Sequence, residues 1–177
     1  TETDEETVYS FAELQREVER MAAIYQSLGV KRGDRVLIYM PMIAQACFAI
    51  LAATRIGAIH SVVFGGFASG SLATRIDDAK PTLIVSSDAG MRGGKAVPYK
   101  HLLDEAIELS EHKPAKVLMV DRGLDKGFNK VEGRDVDYAT QRAQFMDAQV
   151  PCEWMESNEP SYILYTSGTT GKPKGVQ

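Results

Sequence analysis

Apolar residues fall at three- and four-residue steps through Phe11, Leu14, Val18, Met21, Tyr25 and Leu28, and the run stops at Gly29. In front of them, Ser10-Phe11-Ala12-Glu13 has the form of a capping box. Together these predict one amphipathic helix. After the turn Lys31-Arg32-Gly33-Asp34, residues 35–40 are β-branched and aromatic and end at Pro41, which predicts a buried strand. Residues 43–56 are apolar nearly all round and end before Gly57, so a helix buried on most faces is expected there, with Cys47 as a small core residue.

The alternation continues. Strand is predicted over 59–64, a turn at Gly65-Gly66, helix over 71–78, a break at Pro81 and strand over 83–86. Helix follows over 102–109, strand over 116–120, helix over 138–146, and a last apolar run over 161–165. Such order predicts an α/β fold, a mainly parallel sheet with flanking helices and right-handed crossovers. In such sheets ligands collect where loops leave the carboxyl ends of strands. Residues 122–137, with Gly123, Gly127, Gly133 and many charges, are expected to be an exposed loop or insertion without evident chemistry. The charge runs at 2–6 and 17–20 are expected to be solvated faces, and Trp154 and Met155 to be apolar cover before the last run.

Composition narrows the possibilities. With 177 residues, 44% of them hydrophobic, the chain can enclose one sizeable core. A formal net charge of -4 offers no electrostatic case for nucleic acid, although an anionic small molecule needs only local positive charge. No stretch reaches the roughly 18 to 20 apolar residues of a membrane span, and the acidic start is unlike a signal peptide. A soluble cytoplasmic protein without membrane contact is expected. Cys47 and Cys152 are expected to be reduced thiols. A first residue that is not Met and an end just past a loop suggest a fragment.

Chemistry concentrates at the end of the chain, in Tyr165-Thr166-Ser167-Gly168-Thr169-Thr170-Gly171-Lys172-Pro173-Lys174-Gly175. Glycines permit close approach, while backbone N–H groups, four hydroxyls and two ammonium groups can meet phosphate oxygens. The spacing is not that of a Walker loop: Thr166 stands where its first glycine is needed and Pro173 where its magnesium-binding hydroxyl is needed. Gly65, Gly66 and Gly70 fail the dinucleotide fingerprint as well. His60, His101 and His112 lack metal-ligand spacing with one another or with the cysteines, and Ser61 and Ser86 lack a nucleophile-elbow context.

From Thr166 to Gly175 the loop resembles the signature of the adenylate-forming superfamily of acyl-CoA synthetases, peptide-synthetase adenylation domains and luciferases. That signature is Ser/Thr, Ser, Gly, Thr/Ser, Thr, Gly, a variable residue, Pro, Lys, Gly, with Lys172 in the variable place. Upstream, Val8-Tyr9-Ser10-Phe11-Ala12-Glu13-Leu14 and Ala53-Thr54-Arg55-Ile56-Gly57-Ala58 are similar to further motifs of these enzymes. Tyr39-Met40-Pro41-Met42 and His60-Ser61-Val62-Val63-Phe64-Gly65-Gly66-Phe67 resemble the short-chain acyl-CoA synthetases. Residues 76–81 and 88–95 look closer to those that act on propionate than to those that act on acetate.

The resemblance implies part of the large N-terminal domain of an AMP-forming acid-CoA ligase, with the start of the chain and everything after the phosphate loop, including the C-terminal domain, absent. It implies ATP and CoA as substrates, Mg2+ as their companion, and a short-chain carboxylate, propionate preferred. Thr166, Ser167, Gly168, Thr169, Thr170 and Gly171 would surround the β- and γ-phosphates, with Lys172 and Lys174 as nearby positive charge. Phe64, Gly65 and Gly66 would lie against the CoA nucleotide, and Arg92 and Lys95 would meet its phosphates. No catalytic residue and no metal ligand is implied within the 177 residues, and the fragment alone would be inactive. Two alternatives stay open: an acetate-CoA ligase or another adenylating ligase, and a nucleotide- or CoA-binding module without catalysis. Oligomeric state is not legible.

Overall fold

A computed structural model describes residues 3–166 and 174–177. The first helix, α1 (Phe11–Ser27), starts where its capping box predicts. The Glu13 backbone N–H donates to Ser10 Oγ at 3.3 Å, and the Ser10 N–H donates to Glu13 Oε2 at 2.8 Å. Two otherwise orphaned donors are thereby satisfied at the helix entrance.

Strand β1 (Arg35–Tyr39), helix α2 (Ala44–Arg55), strand β2 (Ile59–Val62), helix α3 (Ser69–Ala79) and strand β3 (Leu83–Ser87) follow in the expected alternation. A hairpin of β4 (Gly90–Arg92) and β5 (Lys95–Val97) comes next, then α4 (Tyr99–Leu109), β6 (Lys116–Val120), β7 (Asp135–Asp137) and α5 (Tyr138–Gln144). A second hairpin, β8 (Leu164–Thr166) with β9 (Lys174–Val176), ends the chain.

The main sheet has the order β2-β1-β3-β6-β7 and every pairing in it is parallel. Counting only its own strands, that is the doubly wound order 2-1-3-4-5, whose direction of winding reverses between β1 and β3. Alternation along the strands builds two cores. Val36 and Ile38 of β1, Val85 of β3 and Leu118 of β6 face α1 and α2, while Leu37, Tyr39, Ile84 and Met119 face α3 and α4.

Three expectations are corrected. Cys47 is exposed, because α2 buries Ala46, Phe48, Ala49, Ala52 and Ala53 and turns Cys47 and Leu51 outward. Cys47 lines a 730 Å³ cavity with Met42, Phe48 and Leu124. Trp154 is 91% exposed rather than apolar cover, since its segment is held across the end of α2 by a backbone bond from Glu153 N–H to the Arg55 carbonyl. Met155 alone of the pair packs inward, its Sδ close above Gly57. The charge run at 17–20 is not a solvated face: Glu17 and Glu19 are buried. Glu17 accepts from Arg20 and Arg142, and Glu19 accepts from Arg55 at 2.6 Å.

Residues 122–137 are more than an exposed insertion. Asp88, fully buried after β3, accepts the backbone N–H groups of Arg122, Leu124 and Asp125 at 2.8–3.0 Å. Farther along, buried Lys100 of α4 pairs with Asp104 and Asp135 and donates to the Asn129 carbonyl. These contacts lay the segment against the domain and deliver residues 135–137 to the sheet as β7.

Candidate functional site

Above the carboxyl ends of β2, β1 and β3, three connections meet at the reversal of the sheet. From β2 the ladder runs one residue further, with Val63 N–H donating to the Ile38 carbonyl, and then turns at Gly65-Gly66. Phe64 is left 64% exposed, and its ring meets Phe67 edge-on at 5.9 Å. From β3 the chain enters the β4–β5 hairpin, whose two turn residues Gly93 and Gly94 have φ of 56° and 74°. Positive φ at both central positions is the two-residue turn that matches strand twist, and glycine adopts it without strain.

The hairpin register pairs Arg92 with Lys95, so both exposed cations stand on one face. Arg92 Cζ lies 5.9 Å from the centre of the Phe64 ring. Phe64, Gly65, Gly66 and Arg92 are therefore brought together, with Lys95 next to Arg92.

Beneath them sits a residue that the sequence pattern did not single out. Tyr99, the first residue of α4, is buried and meets Tyr39 edge-on at 5.1 Å. A Cβ placed on Gly65 would fall 2.1 Å from Tyr99 Oη, and one on Gly90 would fall 2.6 Å from the same ring and 3.2 Å from Pro41. Gly65 thus makes room for a side chain of the protein's own interior as well as exposing backbone outward. A Cβ on Gly66 would instead meet the outer ends of Phe64 and Arg92, at 2.4 and 2.9 Å.

The second candidate region is the β8–β9 hairpin. Thr166 and Lys174 are register partners, both exposed, so they stand together where the chain enters and leaves residues 167–173. Ser167, Gly168, Thr169, Thr170, Gly171 and Lys172 lie outside the described residues. Gly175 permits a close approach here: a Cβ on it would lie 3.0 Å from Ile163, 3.2 Å from Asp78 Oδ2 and 3.3 Å from the Tyr165 ring. Tyr165 Oη donates to Asp78 Oδ2 at 2.7 Å, and burial, reinforced by that carboxylate, raises its phenol above the ordinary range.

Between the two regions, His60 of β2 stacks near Tyr162 at 5.8 Å. Its Nδ1 is buried without a hydrogen-bond partner among the described residues, and burial holds its pKa below the usual histidine value. His112 ties the segment after α4 to α3 and to the turn that follows it, through its backbone N–H to Asp77 and its ring to the Pro81 carbonyl. Among the described residues no three His, Cys, Asp or Glu side chains form a group that could hold a metal, and no helix is long and apolar enough to cross a membrane.

The sequence is 64% identical over all 177 residues to a propionate-CoA ligase of Escherichia coli, of which it spans 28%. Over 175 residues, 98% of the chain, it is 47% identical to an acetyl-coenzyme A synthetase of Leptospira biflexa, of which it spans 27%. Its backbone superposes on acetoacetyl-CoA synthetase from Streptomyces lividans with a TM-score of 0.86 at 31% identity, over 99% of this chain and 26% of that one. The model of the AMP-binding enzymes matches residues 2–177, and the chain belongs to that family.

Proposed function

We propose that the chain is part of the large N-terminal domain of an AMP-forming ligase that joins a short-chain acid, propionate by preference, to CoA. The observation that carries this reading is the 64% identity over every residue to a propionate-CoA ligase, against 47% to an acetyl-coenzyme A synthetase. In the first half-reaction a carboxylate oxygen bonds to the α-phosphorus of ATP and the α–β bridging bond breaks, releasing pyrophosphate. In the second, the CoA sulfur bonds to the acyl carbon, the thiol gives up its proton, and AMP leaves.

The residues of this chain would serve by position and charge. Thr166 and Lys174, side by side at the mouth of the terminal loop, would present a hydroxyl and an ammonium to the β- and γ-phosphates, with Ser167, Gly168, Thr169, Thr170, Gly171 and Lys172 between them. Donors fixed before the reaction stabilise the departing pyrophosphate without reorganising. Magnesium would arrive as part of the ATP substrate. Arg92 and Lys95 would meet CoA phosphates. Two like charges placed directly opposite in a hairpin repel, and a bound phosphate relieves that repulsion. Arg92 offers the forked grip and Lys95 a point charge. Phe64, with its exposed ring, and the backbone at Gly65 and Gly66 would take the CoA nucleotide. A cytoplasmic location goes with this reading.

The test is acid-dependent ATP–pyrophosphate exchange by the complete protein, followed by CoA thioester formation. A higher kcat/KM for propionate than for acetate is expected. Equal or better use of acetate overturns the choice of acid, and no exchange with any acid overturns the ligase reading in favour of a binding module.

A further inference from the structure

Arg75 is a cation in an unusual setting. It lies on α3, is 6% exposed, and among the described residues pairs with no carboxylate. Its Nη1 donates to the carbonyl and the hydroxyl of Ser71, at 2.8 and 2.7 Å, within the same helix. Two aromatic rings lie near its guanidinium: Cζ lies 4.2 Å from the centre of the Phe67 ring and 5.1 Å from that of Tyr165. Burial lowers its pKa, and the neighbouring Tyr165 opposes that shift.

The two rings belong to different regions. Phe67 closes the Gly65-Gly66 turn, its N–H donating to the Phe64 carbonyl, and its ring meets that of Phe64, over which Arg92 sits. Tyr165 is the central residue of β8, next to Thr166, and its hydroxyl is fixed by Asp78 of the same helix α3. One helix therefore holds both regions, and one guanidinium fills the space between their aromatic anchors. A planar cation can stack on rings where an ammonium cannot. Resting on the functional reading above, we propose that Arg75 is a positioning residue that couples the strand leading into the phosphate loop to the loop that receives CoA.

The coupling is read with the complete protein, by the KM for ATP in propionate-dependent exchange and the KM for CoA in thioester formation. Arg75→Lys keeps the charge and removes the plane, and it is expected to raise both KM values by about three- to tenfold. Tyr165→Phe, a change on the ATP side, is expected to raise the KM for CoA by about threefold, and that increase is expected to vanish in the Arg75→Lys background. Independent, multiplying effects, or a KM for CoA untouched by Tyr165→Phe, overturn the coupling. If Arg75→Lys does not fold, the cycle of Tyr165→Phe with Phe67→Leu reads the same link through an intact Arg75. Non-additive KM changes there support it and additive ones overturn it. A wild-type protein without exchange or thioester formation overturns the functional reading itself, whereas an active wild type with additive variants overturns the coupling alone.

Discussion

Replacing Gly65 with alanine tests the geometry of the candidate CoA region most sharply. The added Cβ would stand 2.1 Å from Tyr99 Oη, 2.5 Å from Cζ and 2.7 Å from Cε1. Ordinary contact begins near 3.4 Å, so the ring or the loop must move by more than an ångström. The ring has little freedom, because Tyr99 is buried against Tyr39 and against the Cα of Gly90. Displacement therefore falls on the loop that carries Phe64, and overpacking of this kind costs about 1–3 kcal/mol. Felt in binding, that cost is about 5- to 150-fold in the KM for CoA. Propionate-dependent pyrophosphate exchange, which does not use CoA, should stay within about twofold of wild type. Gly65→Ala with Tyr99→Leu, which removes the obstructing ring, should recover part of the loss. Gly66→Ala provides the contrast, because the atoms it meets are the movable ends of Phe64 and Arg92, and its effect should be several-fold smaller. An unchanged KM for CoA in Gly65→Ala, or a loss of exchange equal to the loss of CoA use, would refute the reasoning.

Other changes separate the two regions and the frame that holds them. Arg92→Ala should raise the KM for CoA by about tenfold while exchange is retained, as measured by the two half-reaction assays. Lys174→Ala should do the reverse and slow exchange by about tenfold or more, since it removes a charge proposed to face the departing pyrophosphate. Glu17→Gln should lower stability by about 2–4 kcal/mol at neutral pH by breaking the buried cluster with Arg142 and Arg20. Hydrogen bonding from Arg142 holds the Glu17 carboxyl below its unperturbed 4.5, with burial opposing. The stabilisation is thus present above pH 4.5 and is lost as pH falls through the folded pKa, so wild type and Glu17→Gln should converge in acid melts. A gap that stays constant from neutral to acid pH would contradict that assignment.

Elements with long, regular patterns were legible in the sequence. α1 had both its period and its cap, and the alternation of β-branched runs with amphipathic helices led to a parallel sheet. Elements defined by their partners were not. β7 has one apolar residue, Val136, between two aspartates, and becomes a strand because β6 offers it an edge. The β4–β5 strands are three residues each and are specified by the conformations of Gly93 and Gly94 more than by any alternation. Cys47 misled because α2 looks uniformly apolar in one dimension, whereas its packing against α1 and the sheet decides which of its faces is covered. Arg92 and Phe64 were singled out through their motifs, and the structure places them together. Tyr99 and Arg75 were missed because neither belongs to a motif that carries chemistry, yet the glycines facing Tyr99 were a signal. Gly65 and Gly90 are far apart in the chain and both lack a side chain against the same ring.

The three backbone donors gathered by Asp88 have a practical consequence. They fix residues 122–125 at one end, while Lys100 and the pairing of β7 fix the other end from Asn129 onward. Between those anchors Lys126 and Gly127 are exposed, and the Gly127 N–H is held only locally, by Asp125 at 3.0 Å. Chain length can grow there without drawing on the core. An epitope or a fluorophore-bearing peptide inserted between Lys126 and Gly127 would report on the protein from a surface that the sheet does not need.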